Sequence, residues 1–197
     1  MTDTIAYYDA NAARFYRETV AVDMSALYKP FLELLPKNGK VLDAGCGSGR
    51  DSLYFKRRGY QVEAFDGSSE MCRLASSLLE QPVQSRHFNE VEWVSRFDGI
   101  WACASLLHIQ RKNIDSVIER LSRSLRQDGV MYVSFKNRDG EWEQNGRFFN
   151  GYTEESFHGL LGEHEALVPI SIWTTHDARP NRGGEKWLNA LLRKPNR

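Results

Sequence analysis

The sequence is poor in cysteine, and its few cysteines are not arranged for cross-linking. Cys46, Cys72 and Cys103 are odd in number and widely spaced, and no Cys-x-x-Cys pair occurs. Neither a disulfide framework nor a zinc site has this pattern. We therefore expect a reduced, cytoplasmic protein without a bound metal.

Long apolar runs and an excess of one charge are also missing. No stretch approaches the roughly 18 apolar residues that a membrane-spanning helix needs, and the first residues lack a basic segment followed by an apolar one, so no signal peptide is expected. The 197 residues include 26 Lys and Arg against 26 Asp and Glu. A balanced charge makes nucleic acid an unfavourable partner.

Strands and helices alternate through the middle of the chain. Two helical segments precede residue 36, and a helix with apolar residues at helical spacing is predicted over 111–129. Strands are predicted at 40–45, 60–66, 82–88, 97–105 and 130–136, with helices between most of them. This alternation predicts an α/β fold whose parallel sheet carries helices on both faces.

The regular alternation of predicted strands and helices ends after residue 136. The polar, glycine-containing stretch 137–151 is predicted to be a long loop of the kind that often carries function. A short helix follows, and then two strands at about 166–174 and 186–193. Since no helix connects those two strands, we expect them to pair antiparallel.

The stretch "VLDAGCGSGR" at 41–50 is the clearest candidate for a ligand site. The dinucleotide pattern Gly-x-Gly-x-x-Gly fits Gly45 and Gly47 but meets Arg50 at its sixth position. The phosphate-loop pattern fails because no Gly-Lys-Ser/Thr follows. The pattern Asp-x-Gly-x-Gly-x-Gly matches at every position from Asp43 to Gly49, which favours a nucleoside ligand without a phosphate, such as S-adenosylmethionine.

The chemistry of that ligand agrees with the residue types. Asp43 can meet an ammonium group and Arg50 a carboxylate, while the glycines let the backbone approach closely. Asp66 ends the next strand, where ligands bind in such sheets and where a carboxylate can accept hydrogen bonds from ribose hydroxyls. Asp66 alone does not distinguish S-adenosylmethionine from a nicotinamide cofactor.

Four motifs in this order resemble the class I S-adenosylmethionine-dependent methyltransferases: "VLDAGCGSGR", "VEAFDGSSEM", "FDGIWACASLLHI" and "LRQDGVMYVSFK". Within that superfamily, "YYDANAARFYRET", "GRDSLYF", "NGRFFNGYTEE" and "WLNALLRK" resemble a small bacterial branch labelled as related to tellurite resistance. The resemblance implies a Rossmann-like, doubly wound, seven-stranded sheet that is mostly parallel, with an antiparallel last strand. It further implies one domain with a helical cap at 1–36, a cofactor-binding core at 37–136 and an acceptor side at 137–197.

The resemblance also implies which residues surround the cofactor. Its methionine part would contact Asp43, Gly45, Cys46, Gly47, Arg50, Ala104, Ser105 and Leu106. Its ribose and adenine would contact Asp66, Gly67, Ser68, Met71, Phe88 and Asn89. Tyr8 and Phe15 would close the site from the first helix. Many relatives have an acid where this chain has Asn89, and an amide oxygen can accept the same hydrogen bond from adenine.

Methyl transfer depends mainly on aligning the acceptor, so a general base is needed only when the acceptor must lose a proton. We nominate His108 and Tyr8 as catalytic residues; His108 could be a base, a substrate contact or a locally satisfied side chain, and Tyr8 could act only as a lid. Lys136, Arg147, Arg179 and Arg182 are candidates to bind a small anionic acceptor, because arginine suits carboxylates and phosphates.

We expect a monomer or homodimer. The alternatives are a non-catalytic sensor or partner subunit that binds S-adenosylmethionine, and a nicotinamide-dependent oxidoreductase.

Overall fold

The structure is a computed structural model that describes residues 3–162, 166–179 and 182–196. Its helices are α1 (Thr4–Thr19), α2 (Ser25–Leu32), α3 (Arg50–Arg57), α4 (Ser69–Leu79), α5 (Arg111–Ser124) and α6 (Glu154–Gly162). Its strands are β1 (Lys40–Ala44), β2 (Gln61–Asp66), β3 (Gln84–Ser85), β4 (Phe97–Ala102), β5 (Leu125–Lys136), β6 (Gly140–Gln144), β7 (Arg147–Gly151), β8 (Val168–His176) and β9 (Lys186–Arg193). Within the described ranges, no helix is long and apolar enough to cross a membrane.

The main sheet has seven strands in the order β3-β2-β1-β4-β5-β9-β8. Strands β1 to β5 pair in parallel, and β9 lies antiparallel between β5 and β8. This arrangement confirms the predicted fold class, including the antiparallel last strand. The strand order reverses between β1 and β4, which is where open α/β sheets form a ligand crevice beyond their carboxyl ends.

Helices pack on both faces of the sheet because each presents an apolar face to it. On one face, Ile114, Val117 and Leu121 of α5 join a buried cluster with Ile100 and Met131. On the other face, α2 and α3 bury an aromatic cluster around the fully enclosed Trp101. The central strands are therefore buried on both sides, as parallel strands usually are.

The helix predicted over 111–129 is too long by five residues. The structure ends α5 at Ser124, and Leu125 leaves the helix with a ψ of 142°. Leu125 is completely buried and pairs with Phe97 of β4. Burial of this leucine between strands outweighs the helical preference of its segment. The predicted strand at 82–88 is likewise reduced to Gln84–Ser85.

The stretch 137–151 is not the long loop that its composition predicts. It forms an antiparallel hairpin of β6 and β7, in which the rings of Trp142 and Phe149 stack with centroids 5.5 Å apart. The turn at Asn145 and Gly146 has φ values of 51° and 75°. An Asn-Gly pair with two positive φ values is typical of a two-residue hairpin turn, so the sequence itself carries a signal for this hairpin.

Candidate functional site

A cavity of about 1000 Å³ opens beyond the carboxyl ends of β1, β2 and β4. Helix α1 forms one wall and the β6–β7 hairpin contributes another. All but two of the predicted site residues line it: Tyr8, Phe15, Gly45, Cys46, Gly47, Arg50, Asp66, Gly67, Ser68, Met71, Phe88, Asn89, Ala104, Ser105, His108, Lys136, Arg147, Arg179 and Arg182. The fold therefore brings together residues that are up to 174 positions apart (8 to 182).

The glycine loop after β1 gives the cavity a floor made of backbone. Gly45, Gly47 and Gly49 all have positive φ values, 77°, 52° and 77°. A Cβ atom on Gly45 would lie 2.4 Å from the Cβ of Ser105. Only glycine combines this conformation with such a close approach, so the loop is shaped to bring backbone against a ligand.

Asp66 stands at the end of β2 with its carboxylate held in place. Its Oδ2 accepts a hydrogen bond from the N–H of Gly47 and its Oδ1 from the N–H of Ser68, both at 2.9 Å. Desolvation inside the site raises the pKa of Asp66. Each oxygen of a carboxylate can accept a second hydrogen bond, so a diol in the cavity would find a fixed acceptor.

Asp9 is a polar residue of this region that sequence reasoning missed. It extends from α1 to the beginning of α4, where its Oδ1 accepts hydrogen bonds from Ser68 Oγ at 2.6 Å and from the N–H of Glu70 at 3.2 Å. A carboxylate satisfies free N–H groups at a helix N-terminus. The contact joins α1 to the Asp66 region. Because 59 residues separate Asp9 from Ser68, no local pattern could have revealed it.

The structure places Asp43 and Leu106 behind the cavity wall. Asp43 is buried and accepts a hydrogen bond from Ser52 Oγ at 2.6 Å. Leu106 is fully enclosed and belongs to the core on the α5 face of the sheet. The predicted direct contacts of these two residues with a cofactor are therefore not supported by the geometry.

Arg50 lines the cavity, but its charge is already paired. Its Nε donates to Asp51 Oδ1 at 2.5 Å, and its Nη2 donates to Asp51 Oδ2 at 3.0 Å. Asp51 also accepts hydrogen bonds from Tyr28 and Trp101. This network fixes Arg50 at the rim of the glycine loop, so binding of a carboxylate there must share the guanidinium with Asp51.

Tyr8 of α1 and His108, which follows β4, form a hydrogen-bonded pair in the wall of the cavity. The Tyr8 hydroxyl lies 2.9 Å from His108 Nε2, and His108 Nδ1 lies 2.7 Å from the carbonyl oxygen of Phe148. Desolvation lowers the pKa of His108 to about 4, and Arg147 acts in the same direction. His108 is therefore neutral at pH 7.

Three of the four predicted acceptor-binding cations carry acidic partners. Lys136 contacts Glu185, and Arg179 donates to Asp177 at 2.5 Å. Arg182 lies 3.9 Å from Glu185. Asp177 and Glu185 are further residues of the cavity that the sequence analysis did not identify. Their carboxylates neutralise much of the positive charge on this side.

Arg147 is different from the other three cations. Its guanidinium packs over the rings of Tyr7 and Phe149, with its central carbon 4.9 and 5.1 Å from the ring centroids. Its Nε is buried and, within the described residues, has no hydrogen-bond partner. A buried donor without an acceptor is costly, so this group is suited to an anion that enters the cavity.

The described residues contain no cluster of three His, Cys, Asp or Glu that could hold a metal ion.

A doubly wound sheet with a glycine loop after β1 and an acid at the end of β2 defines a Rossmann-like, nucleoside-binding domain. Residues 16–165 match the sequence profile of a family described as a methyltransferase domain. The chain belongs to this family, which confirms the resemblance to class I methyltransferases.

Individual relatives agree with this assignment. An uncharacterized methyltransferase of Staphylococcus carnosus (strain TM300) is 30% identical over 95 residues, which are 48% of this chain and 46% of that protein. A magnesium-protoporphyrin O-methyltransferase of Rhodobacter capsulatus is 27% identical over 128 residues, 61% of this chain and 57% of that protein. The chain thus spans about half the length of the curated relatives it matches.

A solved structure matches the whole chain. It is the Burkholderia thailandensis 1,6-didemethyltoxoflavin-N1-methyltransferase, determined with bound 1,6-didemethyltoxoflavin and S-adenosylhomocysteine. It is 25% identical, with a TM-score of 0.74, and the match covers 100% of this chain and 92% of that chain. The predicted place in a branch related to tellurite resistance stays a prediction.

Proposed function

We propose that this chain binds S-adenosylmethionine in the cavity and transfers its methyl group to a small anionic acceptor. One observation carries the proposal. The same cavity joins the glycine loop and Asp66 on one side to Arg147, with its unpartnered buried Nε, on the other. The first side has the chemistry of a nucleoside and amino-acid site, and the second has that of an anion receptor.

The residues on the glycine-loop side fit the cofactor. Asp66 would accept hydrogen bonds from the ribose hydroxyls, while Met71 and Phe88 would pack against adenine. Gly45 to Gly47 would lie along the methionine part, with Arg50 near its carboxylate. Asp43 would act from behind the wall by holding Ser52 and the loop in place. Tyr8 and Phe15, whose ring centroids are 5.1 Å apart, would cover the site from α1.

The bound cofactor would supply a methyl group on a positively charged sulfur. The chain would hold the acceptor in line with that bond and exclude water, as expected for a reaction limited by alignment. Arg147 would bind the anionic group of the acceptor, and Tyr8, hydrogen-bonded to His108, would face the reacting atoms. Lys136, Arg179 and Arg182 would shape this pocket together with their acidic partners.

Methyl transfer from radiolabelled S-adenosylmethionine to a panel of small carboxylates, phosphates and their neutral analogues tests the proposal. Arg147→Gln should raise KM for the anionic acceptor by about tenfold or more, since a lost charged hydrogen bond costs about 1.5–3 kcal/mol. Affinity for S-adenosylhomocysteine should stay close to that of the wild type.

Arg138→Gln is the matched control, because Arg138 is exposed and packs on Trp142 outside the cavity. It should leave KM unchanged. Equal use of neutral and anionic acceptors by the wild type would contradict the anionic part of the proposal. Absence of S-adenosylmethionine binding would contradict the whole of it.

A further inference from the structure

Both ring nitrogens of His108 are engaged, and their partners determine the tautomer. The carbonyl oxygen of Phe148 can only accept a hydrogen bond, so His108 Nδ1 carries the proton and donates across 2.7 Å. In the neutral ring, Nε2 is then an acceptor. The Tyr8 hydroxyl, 2.9 Å away, therefore donates to Nε2.

The surroundings oppose a positive charge on His108. Arg147 on β7 is the cation that lowers its pKa, and the ring packs on Phe149 with centroids 5.2 Å apart. Helix α1 presents Tyr8 and, behind it, Tyr7, with ring centroids 5.6 Å apart. The carboxylate of Asp66 raises the pKa of Tyr8, and two backbone N–H groups already donate hydrogen bonds to that carboxylate. No carboxylate stands beside the imidazole, within the described residues, to stabilise its protonated form.

We infer that His108 is a positioning residue that fixes the Tyr8 hydroxyl, and that the acceptor's nucleophilic atom reaches the cavity without a proton to lose. The inference rests on the proposed methyl transfer and names the chemical class of its acceptor. Suitable acceptors are pre-ionised oxyanions such as carboxylates, or ring nitrogens with a free lone pair in a molecule that carries a separate anionic group. Phenols and ammonium groups, which must lose a proton, are excluded.

The reaction then balances without a base. The lone pair of the acceptor forms a bond to the methyl carbon while the carbon–sulfur bond breaks, and that electron pair stays on sulfur. The positive charge of the sulfonium is neutralised, a carboxylate oxygen becomes part of a neutral ester, and a ring nitrogen instead gains the positive charge. The Tyr8 hydroxyl donates its hydrogen to His108, and Arg147 acts on the same hydroxyl as a cation and hydrogen-bond donor.

Nitrogen NMR of the histidine-labelled full chain tests the tautomer directly, without an acceptor. The His108 signals are identified by their loss in His108→Gln, and spectra are recorded with and without S-adenosylhomocysteine. We expect a neutral ring protonated on Nδ1 that does not titrate between about pH 8.5 and 5.5. Protonation on Nε2, or titration with a pKa near 6.5, would overturn the inference.

Kinetics give the second readout, with the best acceptor of the anion panel. Glutamine at position 108 keeps an oxygen for the Tyr8 hydroxyl but cannot take a proton. We therefore expect His108→Gln to retain about tenfold more kcat than His108→Ala, with the pH profile of the wild type. Equal losses of about 100-fold or more in both variants, the size expected for removal of a general base, would overturn the inference.

The two proposals can fail separately. If calorimetry detects no binding of S-adenosylhomocysteine, the proposed function fails, while the tautomer is still measured in the free protein. If the cofactor binds and the label moves to acceptors such as phenols, with a rate that rises as His108 loses a proton, the proposed function stands and the inference is overturned.

Discussion

At the residue scale, the charges beneath the glycine loop differ in how well they are compensated. Asp51 accepts hydrogen bonds from Arg50, Tyr28 and Trp101, and these hold its pKa below the ordinary value despite burial. Among the residues that the structure describes, Ser52 alone donates a side-chain hydrogen bond to Asp43. Burial, and next the neighbouring Asp51, raise the pKa of Asp43 to about 8. This pair makes the stability of the fold depend on pH.

The sign of that dependence follows from proton binding. Between the unfolded pKa near 4 and the folded value, folded Asp43 holds a proton that the unfolded chain has lost, so its contribution to stability decreases as pH rises. The slope approaches about 1.4 kcal/mol per pH unit in that window. Asp43→Asn removes the titrating group. We expect its stability relative to the wild type to increase from pH 5 to pH 8, measured by urea unfolding.

Asp128→Asn is the matched control for Asp43→Asn, since Asp128 is exposed and lies away from the site. Its stability should follow the wild-type curve over the same pH range. If the Asp43→Asn curve is also parallel to the wild-type curve, Asp43 is ionised in the folded protein and the account of the buried pair is wrong.

At the element scale, α1 closes the cavity through three separate contacts. Asp9 binds the beginning of α4, Thr4 Oγ1 accepts a hydrogen bond from the N–H of Phe148 at 2.9 Å, and Tyr8 binds His108. The partners of α1 therefore lie both at the part of the cavity proposed for the cofactor and at the part proposed for the acceptor. Helix α1 connects the two halves of the cavity.

Loss of one of these contacts should both loosen helix α1 and weaken cofactor binding. Asp9→Ala leaves the Ser68 hydroxyl and the Glu70 N–H without this acceptor, a change that costs about 0.5–2 kcal/mol. We expect α1 to exchange its amide hydrogens faster in this variant. If the same free energy is lost from binding, the affinity for S-adenosylhomocysteine falls by up to about 30-fold. Calorimetry measures this change.

Glu18→Ala provides the comparison on the same helix. Glu18 is exposed and lies 3.9 Å from Arg14, a surface pair of small expected energy. We expect Glu18→Ala to change neither the amide exchange of residues near Tyr8 nor the affinity for S-adenosylhomocysteine. Unchanged affinity in Asp9→Ala would show that α1 does not contribute to the binding site through this contact.

The elements also show how far sequence could predict the structure. The places of Asp66 and Gly45 follow from motifs that act locally, since each residue lies next to a strand end in the chain. The end of α5 at Ser124 depends on burial of Leu125 against Phe97, a distant residue. The pairing of Arg179 with Asp177 is close in sequence. The position of Arg147, which has an unpartnered Nε within the described residues, depends on Tyr7 and Phe149, which only the fold brings to it.

At the scale of the whole molecule, the chain is a methyltransferase domain whose cavity divides into two chemical halves. The motifs of the first half could be read in the sequence because backbone geometry determines them. The second half could be predicted only as a set of basic residues. The contact of Lys136 with Glu185 and the tautomer of His108 depend on residues about 40 or more positions apart. The acceptor therefore has to be found by experiment, and the cofactor can be tested first.

The most direct test of the central claim is calorimetric titration with S-adenosylmethionine, S-adenosylhomocysteine and NAD. We expect the first two to bind and NAD not to bind. Asp66→Asn should weaken binding by about tenfold or more through loss of a charged hydrogen-bond acceptor, while Asp128→Asn should bind as the wild type does. Binding of NAD alone, or equal affinity in Asp66→Asn and the wild type, would contradict the assignment of the glycine loop and Asp66 to an S-adenosylmethionine site.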